Sequence, residues 1–338
     1  MRRQKRTYLV AASAAFLTLL TPSIAHADLT GSSTNGDADT QDTDQPDISA
    51  TAWVRFNTDK NGSSSNGSPT GSLKPTGNWS PPPCWYRPTY TPAQLKASSE
   101  TVWGEQSPSW EWISKQKAYY ADGEPYTDFN MENADKGYWW SGYSPKENGG
   151  VKGANDCNDP PFWVDKGDPP PPGHQNAVTA DVLAQLAYRR ILIPTGAAAV
   201  NPPGSQAVRI PTWVWLDPAV FHPVSVTAYV TDYNVTATTT AEPVSIHIDP
   251  GTPYAQTFPA SGDCTGIGTA YNPGDEGNPP CGVVYLKDTD GASFQMTVTV
   301  TWKITWVGTG HPDPQGLPAG TFPHDQDVIV REIQSINR

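Results

Sequence analysis

The stretch QMTVTVTWKITW, from Gln295 to Trp306, alternates between two kinds of side chain. The apolar set is Met296, Val298, Val300, Trp302, Ile304 and Trp306, and the polar set is Thr297, Thr299, Thr301, Lys303 and Thr305. A period of two residues is typical of a β-strand with one buried face. We therefore predict that the apolar side packs against a second layer while the threonines face solvent.

Similar short stretches, bounded by Pro, Gly, Asn or Asp, recur throughout residues 208–338. They include VRIPTWVWLD, VSVTAYV, YNVTATTT, PVSIHID, GVVYLK and DQDVIVREIQSI. Roughly seven short strands predict a mainly β domain, a two-sheet sandwich of immunoglobulin-like type, with a barrel as the main alternative. We expect Asp290-Gly291 to join GVVYLK to the opening stretch as a tight hairpin. Alternation within the strands also predicts core positions for Trp213, Trp215, Trp302 and Trp306.

Residues 1–27 have the three parts of a secretory signal peptide. A basic cluster (Arg2, Arg3, Lys5 and Arg6) precedes an apolar run from Leu9 to Leu20, and small residues follow at Ala25 and Ala27. The run is shorter than the roughly 20 apolar residues of a membrane helix, and Gln4 and Lys5 do not fit a twin-arginine signal. We predict cleavage after Ala27, no membrane span in the mature chain, and a secreted, extracellular protein, with association with the cell envelope as a second location.

The charge of the chain excludes some partners. Cleavage would remove four of the 22 basic residues and none of the 34 acidic residues, so the formal charge would move from −12 to −16. Nucleic acid and anionic membrane surfaces are therefore poor partners. The 35 prolines are about twice the usual number and suit short strands joined by rigid turns.

Four cysteines, Cys84, Cys157, Cys264 and Cys281, in an exported chain predict two disulfides. Of the three possible pairings we favour Cys84 with Cys157 and Cys264 with Cys281, because each bridge then stays within one segment of distinct composition. A zinc site is the competing interpretation. It lacks support, because the chain has neither a Cys-x-x-Cys motif nor a nearby pair of histidines.

The rest of the chain divides into three segments by composition. Residues 28–78 are acidic and then Gly/Ser-rich, which predicts disorder with one possible strand in ISATAWVRF. Residues 79–200 read as an aromatic-rich α+β segment before the sandwich at 208–338. Residues 79–200 have three helix signals: Thr91-Pro92, Ser109 before WEWISKQKAYY, and Thr179 before a helix ended by Pro194. The run DKGDPPPPGHQ within it is interpreted as an extended spacer.

The chain carries no recognisable catalytic motif. The chain has no Gly-Lys dipeptide for a phosphate loop, no Gly-x-Ser-x-Gly, and a DTDG turn that lacks the further ligands of a calcium loop. We therefore predict neither a cofactor nor a metal. Glu105 and Glu111 lie among tryptophans, which leaves a glycosidase open as an alternative.

Aromatic residues are crowded between residues 110 and 143, and two interpretations compete for them. In the first, exposed rings form a binding platform that stacks on glycan faces; its candidate residues are Trp110, Trp112, Tyr138, Trp139 and Trp140. In the second, which we favour, the same rings fill the core of a small segment that has few Leu and Ile residues.

Several fragments together resemble a family of exported actinobacterial proteins of the Streptomyces type that has no established activity. They are NWSPPPCWY followed by TPAQL, and then IPTWVWLDPAVF, PVSIHIDPGTPYA, TVTWKITWVGTG and VIVREIQSINR. The resemblance implies a C-terminal domain similar to PKD and immunoglobulin-like sandwiches, although this chain has DPGTPYA where the Gly-Asp-Gly turn common in such domains is expected. We expect a non-enzymatic interaction protein whose partner is unknown, with cell-wall glycan or another envelope protein as candidates. The alternative is a secreted protein that binds or hydrolyses glycans.

Overall fold

The structure, a computed structural model, describes residues 54–62, 70–105, 108–145 and 148–333, and is mainly β. In chain order its strands are β1 (Arg55–Asn57), β2 (Thr70–Ser72), β3 (Lys74–Pro75), β4 (Trp85–Tyr90), β5 (Gly137–Tyr143), β6 (Phe162–Asp165), β7 (Leu192–Pro194), β8 (Ala199–Asn201), β9 (Gln206–Ala207), β10 (Pro211–Trp215), β11 (Val224–Val230), β12 (Val235–Asp249), β13 (Ala255–Phe258), β14 (Asp263–Thr265), β15 (Gly282–Tyr285), β16 (Phe294–Gly308), β17 (His311–Val328) and β18 (Val330–Arg331). The α-helices are α1 (Pro92–Gly104), α2 (Trp110–Tyr120) and α3 (Ala180–Arg189), and 3-10 turns lie at Asp128–Asn133 and Thr231–Tyr233.

The opening stretch forms most of β16, in the middle of a seven-stranded antiparallel sheet. The order is β1-β11-β12-β16-β17-β3, and β14 pairs with the far half of β12. Every apolar residue of the stretch is at most 4% exposed, whereas its threonines remain partly exposed. The predicted strand with one buried face is therefore confirmed.

Helix α3 covers part of the buried face of this sheet and packs on β11, β12 and β16. Thr179 caps the helix by accepting a hydrogen bond from the Val182 N–H, as its sequence predicts. Thr239 of β12 donates its hydroxyl to the Ala184 carbonyl at 2.8 Å and so ties the helix to the sheet. Because the predicted 79–200 segment contains α3, that segment shares a core with the large sheet. The domain limits themselves stay a prediction.

Two smaller sheets add to the same core. The four-stranded sheet β13-β15-β10-β8 contributes the buried side chains Val214, Val283 and Tyr285. The three-stranded sheet β4-β5-β6 contributes Trp140, whose indole N–H donates to the Tyr233 hydroxyl at 3.0 Å. These contacts place the aromatic segment against the end of the β11–β12 hairpin.

The two disulfides have the favoured pairing. Cys84 is bonded to Cys157, and Cys264 is bonded to Cys281. The second bridge ties β14 of the large sheet to the residue before β15 of the four-stranded sheet. Stable disulfides are typical of proteins in an oxidising compartment. Among the described residues, no helix combines the length and apolar character that crossing a membrane requires.

Three sequence expectations about individual elements are wrong. YNVTATTT and PVSIHID form one strand, β12, because a bulge between Pro243 and Ser245 absorbs the proline without ending the pairing with β16. Asp290-Gly291 does not close a hairpin, since β15 pairs with β10 and β13 rather than with β16. Helix α3 ends at Arg189 rather than near Pro194, because Leu192–Pro194 pairs with Thr70–Ser72.

Only part of the N-terminal region lies within the described residues. Residues 1–53, which include the predicted signal peptide, and residues 63–69 lie outside the described residues. In the described parts of this region, 54–62 and 70–78, the structure has three short strands rather than one. They form although their composition is polar, because each adds to an existing strand: β1 to β11, β2 to β7 and β3 to β17.

Candidate functional site

A recess of about 530 Å³ lies between α2 and the chain segment from Asp159 to His174. Its lining is Lys115, Gln116, Tyr119, Tyr120, Asp159, Pro160, Phe162, Pro172, Gly173 and His174. The volume falls within the range of small-molecule sites in proteins. The walls combine aromatic rings and prolines with a few polar groups, which is the usual composition of such sites.

The central polar group of the recess is a histidine–aspartate pair. His174 Nδ1 lies 2.9 Å from the Asp159 carboxylate, and the imidazole stacks on Phe162 with ring centroids 3.7 Å apart. The His174 side chain is 22% exposed. Because Nδ1 is engaged by the carboxylate, Nε2 is the ring nitrogen left to meet a ligand.

Tyr86 of β4 holds the two halves of this pair together. Its hydroxyl accepts a hydrogen bond from the Asp159 N–H at 3.2 Å, and its ring meets the His174 ring edge-on at 5.5 Å. Its backbone also pairs with the segment after His174: it donates to the Asn176 carbonyl and accepts from the Val178 N–H. Burial raises the pKa of Tyr86 to about 12 although the hydrogen bond from the Asp159 N–H lowers it, so this phenol stays neutral at physiological pH.

Helix α2 supplies the opposite wall. Ser109 caps it by accepting from the Trp112 N–H, as predicted, and Glu111 lies in its first turn. At its other end the buried Tyr120 hydroxyl donates to the Pro161 carbonyl at 2.9 Å, which fixes the helix against the Asp159 segment. Burial raises the pKa of Tyr120, so its proton and this hydrogen bond are retained.

One polar atom in the wall has its bonding capacity unused. Gln116 Oε1 is buried and, within the part of the chain that the structure describes, has no hydrogen-bond partner. Buried carbonyl oxygens nearly always accept a hydrogen bond, because leaving one unpaired is costly. Because the atom has no surface open to solvent, the Gln116 amide has to turn towards the recess before a ligand donates to its oxygen.

Three of the five candidate platform residues lie in the core, where the favoured interpretation places them. Tyr138, Trp139 and Trp140 are at most 8% exposed, because both faces of β5 are covered: Tyr138 and Trp140 lie in the main core and Trp139 lies in a second, smaller cluster. Each of the three side chains also hydrogen-bonds inside the protein: Tyr138 to Asp232, Trp139 to the Phe129 carbonyl and Trp140 to Tyr233. Such rings have no free face for a glycan.

The other two platform residues lie on α2 but do not line the recess. Trp112 is partly buried and packs against a cluster of Leu95, Tyr120, Phe129 and Trp139. Trp110, the first helical residue, is 82% exposed. The five residues therefore do not form one surface.

The two acids considered for a glycosidase lie outside the recess as well. Glu105 is an exposed residue at the end of α1, and Glu111 is exposed and forms an ion pair with Lys115 at 2.9 Å. The hydrogen bond from Lys115 lowers the pKa of Glu111, whereas a general acid requires a raised pKa. Glu111 is thus poorly suited to protonate a leaving group.

The side chains in the lining decide which chemistry the recess can support. Its lining, drawn from the described residues, has no Ser, Thr or Cys beside His174 that would serve as a nucleophile. Among the residues that the structure describes, no three His, Cys, Asp or Glu side chains are grouped to hold a metal ion. The lining itself offers hydrogen-bonding groups and ring surfaces.

Sequence reasoning missed this site because its residues lie in proline-rich segments without regular structure. His174 follows the run DPPPPG, which was interpreted as a spacer, and Asp159 precedes Pro160-Pro161. The two are 15 residues apart in the sequence, and no motif marks the pair. No protein-family model, curated protein or solved structure matches the chain.

Proposed function

We propose that this chain is a secreted, non-catalytic binding protein of the cell envelope or extracellular space, and that its ligand occupies the recess beside α2. The observation that carries the proposal is the combination of a fixed His174–Asp159 pair with the unpaired, buried Gln116 Oε1 in one aromatic-walled recess. Unused polar groups that converge in a recess are the usual sign of a ligand site.

Binding is favoured over catalysis because the recess fixes its groups without providing a complete reaction centre. Asp159 orients the imidazole, as in general-base sites, but no nucleophile stands next to Nε2 in the lining. The partner therefore meets a hydrogen-bonding surface rather than an activated group.

The proposal includes export and a specific fold. The signal-like residues 1–27, the two disulfides and the resemblance to exported actinobacterial proteins support a secreted location. Within 208–338, two antiparallel sheets that contribute to one core support a PKD or immunoglobulin-like sandwich. In this proposal the sandwich is the scaffold and the aromatic segment carries the site.

The test is a pull-down of the full exported chain with two materials, purified peptidoglycan and a solubilised envelope extract. The informative variant is Gln116→Leu combined with His174→Phe, which keeps the bulk and the ring on Phe162 while removing the polar atoms. Trp110→Ala is the matched control, because Trp110 is exposed on the same helix but outside the recess.

We expect the wild type and Trp110→Ala to be retained by one of the two materials and the double variant to be lost from it. Equal thermal midpoints for the three proteins would show that the double variant is folded. Absence of wild-type retention on both materials would refute an envelope-binding function, and equal retention of the double variant would refute the recess as its site.

A further inference from the structure

The polar groups of the recess include both hydrogen-bond donors and acceptors. Gln116 Oε1 and the Asp159 carboxylate are acceptors, whereas the Lys115 ammonium is a donor. His174 Nε2 accepts when the ring is neutral and donates when it is protonated. A ligand that satisfies this set must itself donate and accept, and hydroxyl groups do both.

The recess is lined by formal charges of both signs, which disfavours a charged ligand. A cation would be attracted by Asp159 but repelled by Lys115, and an anion would be attracted by Lys115 but repelled by Asp159. Lys115 is also engaged by Glu111, which reduces both its attraction for an anion and its repulsion of a cation. A neutral ligand avoids both costs.

The wall offers one aromatic ring with an accessible surface. Tyr119 is 36% exposed, whereas the Tyr120 and Phe162 rings beside it are buried. Its position is fixed by edge-on contacts with Tyr120 and Tyr126, at ring-centroid distances of 4.7 Å and 5.6 Å. A ring held in this way is suited to contact an apolar face of a ligand that is polar at its edges.

A sugar meets all three requirements, because it donates and accepts hydrogen bonds, is neutral, and has an apolar face. We propose that the recess binds a neutral pyranose ring of a glycan, with its C–H face on Tyr119, one hydroxyl donating to Gln116 Oε1 once that amide turns into the recess, and another bonded to the His174–Asp159 pair. The inference rests on the proposed function, since it identifies the chemical class of the ligand for the same recess.

The experiment uses ligand-observed saturation-transfer NMR and calorimetry on the full exported chain. The neutral probes are chitotriose, cellotriose and maltotriose, spermidine is the cationic probe, and inorganic pyrophosphate is the anionic probe. We expect transfer to the ring C–H protons of at least one neutral trisaccharide and none to spermidine. Calorimetry should detect no binding of pyrophosphate.

Pairs of variants test each contact. Tyr119→Ala should weaken binding by about tenfold, whereas Tyr119→Phe keeps the ring and should bind like the wild type. Gln116→Leu should also weaken binding by about tenfold, whereas Gln116→Glu keeps an acceptor and should retain most of the affinity. Trp110→Ala should leave binding unchanged, because Trp110 lies outside the recess.

The outcomes separate this inference from the proposed function. If no neutral trisaccharide binds but envelope material still retains the chain through Gln116 and His174, the sugar assignment is wrong and the recess remains a binding site. Tighter binding of spermidine or pyrophosphate than of any sugar would also overturn the assignment. If a sugar binds equally to Tyr119→Ala and Gln116→Leu, the glycan site lies elsewhere and the inference about this recess fails.

Discussion

The two disulfides close loops of very different length, which predicts an order for their contributions to stability. Cys84–Cys157 spans 73 residues and Cys264–Cys281 spans 17. In the loop-closure relation the constraint on the unfolded chain grows with the logarithm of this length. It amounts to about 4.4 kcal/mol for the long loop and about 3.1 kcal/mol for the short one.

Packing predicts the opposite order. Cys264 and Cys281 are each 2% exposed, whereas Cys157 is only partly buried beside the fully buried Cys84. Replacement of buried sulfur by the smaller alanine side chain leaves a cavity, at a cost on the order of 1 kcal/mol per site. If local packing were the main contribution, loss of the short bridge would therefore be the more destabilising change.

The assay is equilibrium unfolding in urea of the wild type and two double variants, Cys84→Ala/Cys157→Ala and Cys264→Ala/Cys281→Ala. We expect loop closure to outweigh packing, so that both variants lose free energy of unfolding and the long-loop variant loses more, by at most about 1 kcal/mol. An equal or larger loss for the short-loop variant would refute the argument from loop closure. The double variants also avoid the unpaired thiol that a single substitution would leave.

Three further substitutions test the packing of the large sheet. Burial lowers the pKa of His324 from 6.5, so the unfolded state binds the proton more readily, and stability should fall as the pH decreases through 6.5 towards the folded-state pKa. His324→Leu should flatten this part of a melting-temperature profile, and an unchanged slope would show that His324 does not cause the pH dependence. Gly320→Ala would place a Cβ 2.7 Å from the Tyr188 hydroxyl and should cost about 1–3 kcal/mol in urea unfolding. Gly316→Ala on the same strand meets nothing within 4 Å and should be neutral, so equal effects of the two substitutions would disprove the steric cause. Thr239→Val removes the hydroxyl that bonds to α3 and should cost about 1 kcal/mol by the same assay, so a neutral result would show that this bond does not hold the helix.

Strands and helix starts were predictable because their signals are local. The alternation of β16 places Trp302 and Trp306 in the core, and the caps at Thr91, Ser109 and Thr179 mark the observed starts of the three helices. Each signal depends on neighbours within a few residues, which is the range over which periodicity and capping act.

Strand pairing was less predictable because it depends on distant residues. Asp290 and Gly291 both have positive φ, as a tight turn requires, but the strands on either side of them belong to different sheets. Similarly, Leu192–Pro194 continues the apolar pattern of α3 and becomes a strand only because Thr70–Ser72 lies alongside it. Tertiary pairing overrides local preference in both places.

The candidate site was the least predictable part, because ring burial and long-range pairing decide it. The density of aromatic residues around Trp139 is compatible with a core or a platform, and only the cover on both faces of β5 distinguishes the two. His174 and Asp159 lie close together because Tyr86 contacts both of their segments. No local pattern reports such a contact.

The proline-rich segments that resemble spacers hold the polar groups of the recess in place. Pro160-Pro161 directly follows Asp159, and four prolines at 169–172 precede His174, so the backbone on both sides of the pair is restricted before any ligand arrives. Gly173 has a φ of 108°, a conformation that favours glycine, and this turn brings the imidazole back over Phe162. A ligand that binds groups already held in place loses less affinity to ordering of the protein. The same composition that disfavours long helices therefore positions the polar groups of the recess.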